Sequence, residues 1–409
     1  MSSTDIETLP VSEFFTRGVW PPTPSPSASR AVLRAFSPGG LGILFISNVG
    51  TLPASPSACF SCARAAVLRA ALSWCELDAP ARTRLFSSEK LGSDAPRAGT
   101  LALRWDGADA AGAWPEAHAL ASAAENPCAS APYCSMCGER AASGTCGDAI
   151  GSSGDEGAAG GASLNSLVSA LGCALSAVCA GVAAAADDAL QLPARSLFRA
   201  LVGAGTAKAR AVSYPVGASP AAWQPWHYDY GIFSALVSPA VATDRGARIL
   251  DSDAFARAFP NAGLVVRLRS GADAVAYIPA GCIGVQVGES AQILTGGRLV
   301  ATPHCVRAPA GSAANEADGE VAIAADEISR ASFVVFCQPP WDARLTAVED
   351  GALARERVLE ASQRAAEGLG GQVPLLADRW ADGDSYSIFS RATTSAYFGS
   401  RGTQRGKTI

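Results

Sequence analysis

The chain has 409 residues, 49% apolar and 17% charged, enough apolar surface for a large core; disorder along the whole length is excluded. Lys and Arg number 32 against 37 Asp and Glu, a net charge of −5 with no basic block, which argues against nucleic acid as the main partner. Only three histidines occur, so the position of each is informative.

In chain order, Met1–Pro10 carries Asp5 and Glu7 and lacks an apolar stretch, so it does not read as a secretory signal. The expectation is a cytoplasmic protein whose 12 cysteines are reduced thiols. Pro21–Ser29 reads as a surface loop, Ala31–Phe36 as helix, Gly42–Ser47 as a buried strand and Pro56–Cys75 as helix. Cys59 and Cys62 form a Cys-x-x-Cys at the start of that helix. Cys128, Cys134, Cys137 and Cys146 form a second cluster, open to two readings: a zinc site or a loop with incidental thiols. Residues 141–162 are low-complexity Gly, Ser and Ala, an insertion.

Gly157–Ala186 carries no charge and is long enough to span a bilayer. Its large residues (Leu164, Leu167, Val168, Leu171, Leu175, Val178 and Val182) recur at spacings that make one helical stripe, with small residues elsewhere. The stretch therefore predicts a helix over Leu164–Leu190 packed against a sheet, with no membrane partner. Gly203-Ala204-Gly205 reads as a turn before a strand.

From Lys208 onward, short β-rich runs alternate with Gly, Pro and Asn. They are Ala209–Tyr214, Trp226–Val237, Gly263–Leu268, Ala274–Ile278, Gly284–Val287, Arg298–Thr302, Cys305–Ala308 and Ser332–Cys337. This pattern predicts a barrel or jelly roll. Ala240–Pro260, with a short helix at Asp253–Phe259, and the Ala/Gly-rich Ala308–Glu327 interrupt it as insertions; a helix follows at Leu353–Gly368. Cys173, Cys179, Cys282 and Cys337 sit in apolar runs and read as core residues.

His227-Tyr228-Asp229 is the sharpest local signal. On a strand, residues i and i+2 share a face, so imidazole and carboxylate converge. His304 lies beside a later strand. Two histidines and one carboxylate are the ligand set that holds non-haem Fe(II) with open coordination positions. Arg330 and Ser332 open the apolar run Phe333–Phe336 and share a face; a guanidinium fork with a hydroxyl suits a carboxylate. Trp223 and Trp226 flank the histidine strand, lining a substrate mouth or packing the barrel. His118, Asp251 and Asp253 have no partner spacing, and Gly402–Thr408 only mimics a phosphate loop.

With these residues the sequence resembles the plant- and fungal-type 2-oxoglutarate/Fe(II) dioxygenases, the family that includes isopenicillin N synthase. Gly42–Gly50 is similar to an early family strand with Val49 where a histidine is usual; Leu85-Phe86, Glu89-Lys90 and Val212-Ser213-Tyr214-Pro215 match further motifs, with Val212 in place of an Asn. Val287-Gly288-Glu289, Thr295–Arg298, His304-Cys305-Val306 and Tyr386–Tyr397 resemble later ones.

The resemblance implies a mainly β fold with flanking helices: a double-stranded β-helix (jelly-roll) core in residues 206–345, an N-terminal α/β region in 1–205, and a C-terminal helix and tail in 346–409. It implies Fe(II) on His227, Asp229 and His304, and 2-oxoglutarate held by Arg330, Ser332 and Tyr214. O2 and a small-molecule substrate complete the reaction, which releases succinate and CO2. Two alternatives keep the same fold: an iron oxidase that uses no 2-oxoglutarate, and a non-catalytic binding scaffold.

Overall fold

A computed structural model describes residues 6–15, 21–49, 53–55, 58–75, 100–105, 164–205, 207–214, 223–243, 248–250, 252–313, 323–347 and 352–398. Leu85-Phe86, Glu89-Lys90, His118, the Cys128–Cys146 cluster, the insertion at 141–162, Pro215 and Gly402–Thr408 lie outside them.

The N-terminal half supplies β1 (Thr8–Pro10), α1 (Pro26–Phe36), β2 (Ile43–Ser47), a ribbon of β3 (Pro53–Ser55) and β4 (Ala58–Cys59), α2 (Phe60–Cys75), β5 (Thr100–Trp105), α3 (Leu164–Leu190) and α4 (Ser196–Gly203). There follow β6 (Ala207–Tyr214), β7 (Gln224–His227), β8 (Phe233–Val237), β9 (Ala240–Thr243), β10 (Arg248–Leu250), α5 (Ser252–Ala258), β11 (Gly263–Arg267), β12 (Asp273–Val275) and β13 (Ile283–Val287). The rest is α6 (Glu289–Leu294), β14 (His304–Arg307), β15 (Ser312–Ala313), β16 (Ile323–Ala324), β17 (Ser329–Cys337), α7 (Ala352–Ala366) and α8 (Tyr386–Phe398).

Two sheets form the centre. The larger runs β1-β2-β13-β8-β17-β6-β5, with β9 also on β17 and β10 on β9. It is mixed, because β1 and β2 are parallel. The smaller is antiparallel, β12-β11-β14-β7. From β6 to β17 the chain passes repeatedly between them: β6, β8, β13 and β17 lie in the large sheet and β7, β11, β12 and β14 in the small one. Strands from both sides of residue 205 pair directly, β5 with β6 and β2 with β13.

Alternation along β17 assigns the faces. Ala331, Phe333, Val335 and Cys337 join the core beneath the helices, where Leu171, Leu175, Val178 and Val182 of α3 also pack. Arg330, Ser332, Val334 and Phe336 therefore point to the other face, toward the small sheet. Between the sheets, Ile43 and Phe45 of β2 meet Leu264 and Val266 of β11. The alanine faces of α3 are buried as well, Ala180 and Ala183 to Ala186 being fully enclosed. A helix enclosed on all sides needs small residues wherever a neighbouring backbone comes close.

Several sequence expectations shift. The run Trp226–Val237 is two strands in different sheets, parted at residues 228–232, because the chain there leaves the small sheet for the large one. Arg298–Thr302 is not a strand: Gly296 and Gly297, at φ of 60° and 77°, turn the chain out of α6. Its apolar residues, Leu299, Val300 and Ala301, are buried without a ladder. The helix expected from Pro56 begins at Phe60, after the β3–β4 ribbon. Strand β12 ends at Val275 rather than Ile278. Ala240–Pro260 is woven into the fold, since β9 pairs with β17. Ala308–Glu327 holds the β15–β16 pair and a 3-10 turn at Ala325–Glu327. Cys179, Cys282 and Cys337 are buried; Cys173 is only partly so.

Candidate metal centre

Strand β7 ends at His227, and β14 opens at His304, directly opposite it in register. The two rings lie 4.2 Å apart between centroids. His304 also pairs with Val266, whose side chain points between the sheets, so both imidazoles face the interior. Asp229 lies beyond the end of β7. It reaches the histidines because the chain turns there, not because it shares a pleat with His227. Its carboxylate oxygens stand 4.0 Å from His227 Nε2 and 3.8 Å from His304 Nε2. Among the described residues these three side chains, with ligand atoms within 4.8 Å of one another, are the group of His, Cys, Asp or Glu able to share one metal ion.

The tautomers follow from the other ring nitrogens. His227 Nδ1 lies 2.8 Å from the Pro225 carbonyl and His304 Nδ1 3.2 Å from that of Thr302. A carbonyl only accepts, so each Nδ1 carries the proton and each Nε2 presents a lone pair to Asp229. Burial, then the neighbouring His304, pushes His227 down to about 4 despite the opposing pull of Asp229. Neutral imidazoles and a carboxylate are the form that binds a metal.

The turn carrying Asp229 is held by β13 and α6. Gly288 N–H donates to the Ile232 carbonyl (2.9 Å), Glu289 N–H to that of Asp229 (2.8 Å) and Ser290 N–H to that of Gly231 (3.0 Å). Ser290 Oγ donates to the Tyr230 carbonyl at 2.6 Å. This approach requires glycine: a Cβ on Gly288 would lie 2.2 Å from the Gly231 oxygen, and one on Gly231 2.6 Å from the Cys337 oxygen.

A second polar cluster faces the same interior. Arg330 pairs with Tyr214 and Ser332 with Val212 across β17 and β6. The Arg330 guanidinium lies 5.5 Å from the Tyr214 ring centre, and that ring stacks on Trp223, 5.3 Å away, just before β7. Val306, two residues past His304 on its face, joins this cluster. Arg330 is 4% exposed and Ser332 6%, yet Arg330 Nε and Ser332 Oγ have no hydrogen-bond partner. Desolvation lowers the Arg330 pKa and raises that of Tyr214. Buried polar atoms of this kind are costly unless something meets them. Trp223 and Trp226 both pack, the first on Tyr214 and the second beside Tyr228.

All six residues expected from the sequence thus fall on the two facing sheets or the turn between them. Sequence reading gives no role to Glu289, Arg379 and Tyr397, which brace the Asp229 turn from the C-terminal helices. Pairing of Glu289 and Arg379 across 90 positions leaves no local pattern.

No protein-family model matches the sequence, and no curated protein sequence does. Among solved structures, a dioxygenase-fold protein of Neurospora crassa is similar in three complexes. The full-length Neurospora protein in complex with alpha-KG has a TM-score of 0.51 and 15% identity, covering 85% of this chain and 90% of that one. Its complex with alpha-KG and thymine gives 0.51 and 15%, covering 95% and 96%. The complex with alpha-KG and 5-formyluracil gives 0.50 and 15%, covering 88% and 96%.

Proposed function

We propose that this protein is an Fe(II)- and 2-oxoglutarate-dependent oxygenase that oxidises a small organic molecule with O2, releasing succinate and CO2. The observation that carries the reading is the pairing of the His227, Asp229 and His304 cluster with a buried, unsatisfied Arg330 and Ser332 on the facing sheet. The donor set fits Fe(II): two neutral imidazoles and one carboxylate leave open positions for small molecules. Once bound there, the iron supplies the activation of dioxygen. The likeness to the Neurospora protein, which binds alpha-KG on the same fold, supports the choice of co-substrate, and we read the alternating two-sheet core as a jelly roll.

The chain's own residues bind, orient and exclude water. His227 and His304 keep their protons on Nδ1, toward Pro225 and Thr302, so Nε2 stays available. Arg330 Nε and Ser332 Oγ offer donors to the distal carboxylate of 2-oxoglutarate, with Tyr214 beside them. Apolar neighbours around Arg330, among them Val241, Leu264 and Ile278, keep that end dry.

The test is binding of 2-oxoglutarate to the Fe(II)-loaded protein without oxygen. Arg330→Ala removes a charge-assisted pair, about 2–5 kcal/mol, so affinity falls tens- to thousands-fold. Equal affinity in wild type and variant contradicts this assignment. Absence of binding by iron-replete wild type favours an oxidase that uses no 2-oxoglutarate.

A further inference from the structure

The C-terminal helices reach the metal centre through a buried ion pair. Arg379 Nη1 and Nη2 donate to the two carboxylate oxygens of Glu289 at 2.8 and 2.6 Å, and both side chains are 1% exposed. The other donors of Arg379 are also used: Nη1 to Thr393 Oγ1 (2.9 Å), Nη2 to the Pro374 carbonyl (3.1 Å) and Nε to that of Leu375 (3.2 Å). All five guanidinium N–H groups are thus satisfied, the condition under which a buried charge is tolerated.

Glu289 is also the residue whose backbone N–H holds the Asp229 carbonyl. On the other side of Asp229, Tyr228 N–H donates to the Tyr397 hydroxyl of α8 at 3.0 Å, and Tyr228 Oη to the Ser362 carbonyl of α7 at 3.3 Å. The Arg379 guanidinium lies 6.0 Å from the Tyr397 ring centre, so the two supports form one network. A buried pair brought together over this sequence distance is a costly way to gain stability alone. Its placement against a ligand-bearing turn gives it a second use.

We infer that Glu289, Arg379 and Tyr397 are positioning residues that set the Asp229 carboxylate for metal, so that the C-terminal helices complete the site. This rests on the metal reading above. Outer groups that orient metal ligands typically contribute 10–100-fold in affinity.

The experiment titrates Fe(II) alone, without oxygen, into the metal-free full-length protein. Tyr397→Phe deletes one hydroxyl without opening a cavity, and Arg379→Met removes the buried cation. Leu345→Ala, in the neighbouring apolar cluster, is the control for loss of stability without loss of these bonds. Tyr397→Phe and Arg379→Met should each weaken Fe(II) binding about 10-fold or more. Leu345→Ala should leave it unchanged even where its unfolding midpoint falls as far. Amide hydrogen exchange at Glu289 and Ser290 in the metal-free protein should speed up in the first two variants only.

Wild-type iron affinity in Tyr397→Phe and Arg379→Met, or equal weakening in Leu345→Ala, overturns the inference. Wild type that takes up no iron overturns the metal reading instead, and unchanged exchange in Tyr397→Phe and Arg379→Met then overturns this inference independently.

Discussion

His304 is 5% exposed, between the β7 strand end and the carboxylate of Asp229, with its Nδ1 proton committed to Thr302. Replacing it by Ala removes one lone pair from the triad and leaves the backbone pairing of β14 intact. His304→Ala should abolish Fe(II) retention while the metal-free protein unfolds near the wild-type midpoint. Iron content after anaerobic loading and desalting checks this, and stoichiometric iron in the variant removes His304 from the ligand set. At this scale the site is largely legible in the sequence, because His227, Asp229, His304, Arg330 and Ser332 carry short spacings that a strand translates into shared direction. The convergence of Asp229 has a different local cause from the one its spacing suggests. It depends on a turn held by Gly231 and Gly288, which a pleat argument does not see. Glu289, Arg379 and Tyr397 are not legible as a unit, since only the folded chain brings them together.

At the scale of elements, α3 illustrates what apolar periodicity does and does not reveal. The Leu/Val stripe gives its bounds, but its alanine faces are as buried as the stripe, because α1, α2, α4 and the large sheet surround it. Periodicity finds large residues; it is silent on small ones packed against backbone. The run Arg298–Thr302 misleads in the converse way, since an apolar segment can be buried as a turn. The exit from α3 carries a pH prediction. Asp187 is 1% exposed and accepts from Leu197 and Phe198 N–H at 2.9 and 2.8 Å, capping α4. Burial, outweighing those two bonds, pushes its carboxyl from 3.8 up to about 6. The folded chain then holds this proton more tightly than the unfolded chain, so its contribution to stability falls as pH rises through that window. Denaturant unfolding of wild type and Asp187→Asn should differ in pH slope between about 4 and 6, wild type losing stability relative to the variant as pH rises. Parallel slopes would show that Asp187 does not titrate there.

For the whole molecule, two sheets and a helical layer form the described core, and the N-terminal strands β2 and β5 are built into the same sheet as β13 and β6. The helix stretch Leu171–Leu190 is long and apolar enough to cross a bilayer, yet 78% of its most apolar window is buried inside the fold. Exposing such a helix to lipid would strip it from α1, α2 and β8, so cell fractionation should recover the protein without detergent. Recovery only from detergent-extracted membranes contradicts that placement. The central claim concerns the chemistry between the two sheets, where the triad faces Arg330 and Ser332. Its most direct measurement is succinate release by the purified, Fe(II)-loaded protein given 2-oxoglutarate and O2, with Arg330→Ala and His304→Ala alongside. Wild type should form succinate and CO2 in equal amounts, slowly even without a second substrate. Arg330→Ala should need far more 2-oxoglutarate, and His304→Ala should form none. Iron-replete wild type that neither consumes 2-oxoglutarate nor releases succinate, with or without candidate substrates, would contradict the account.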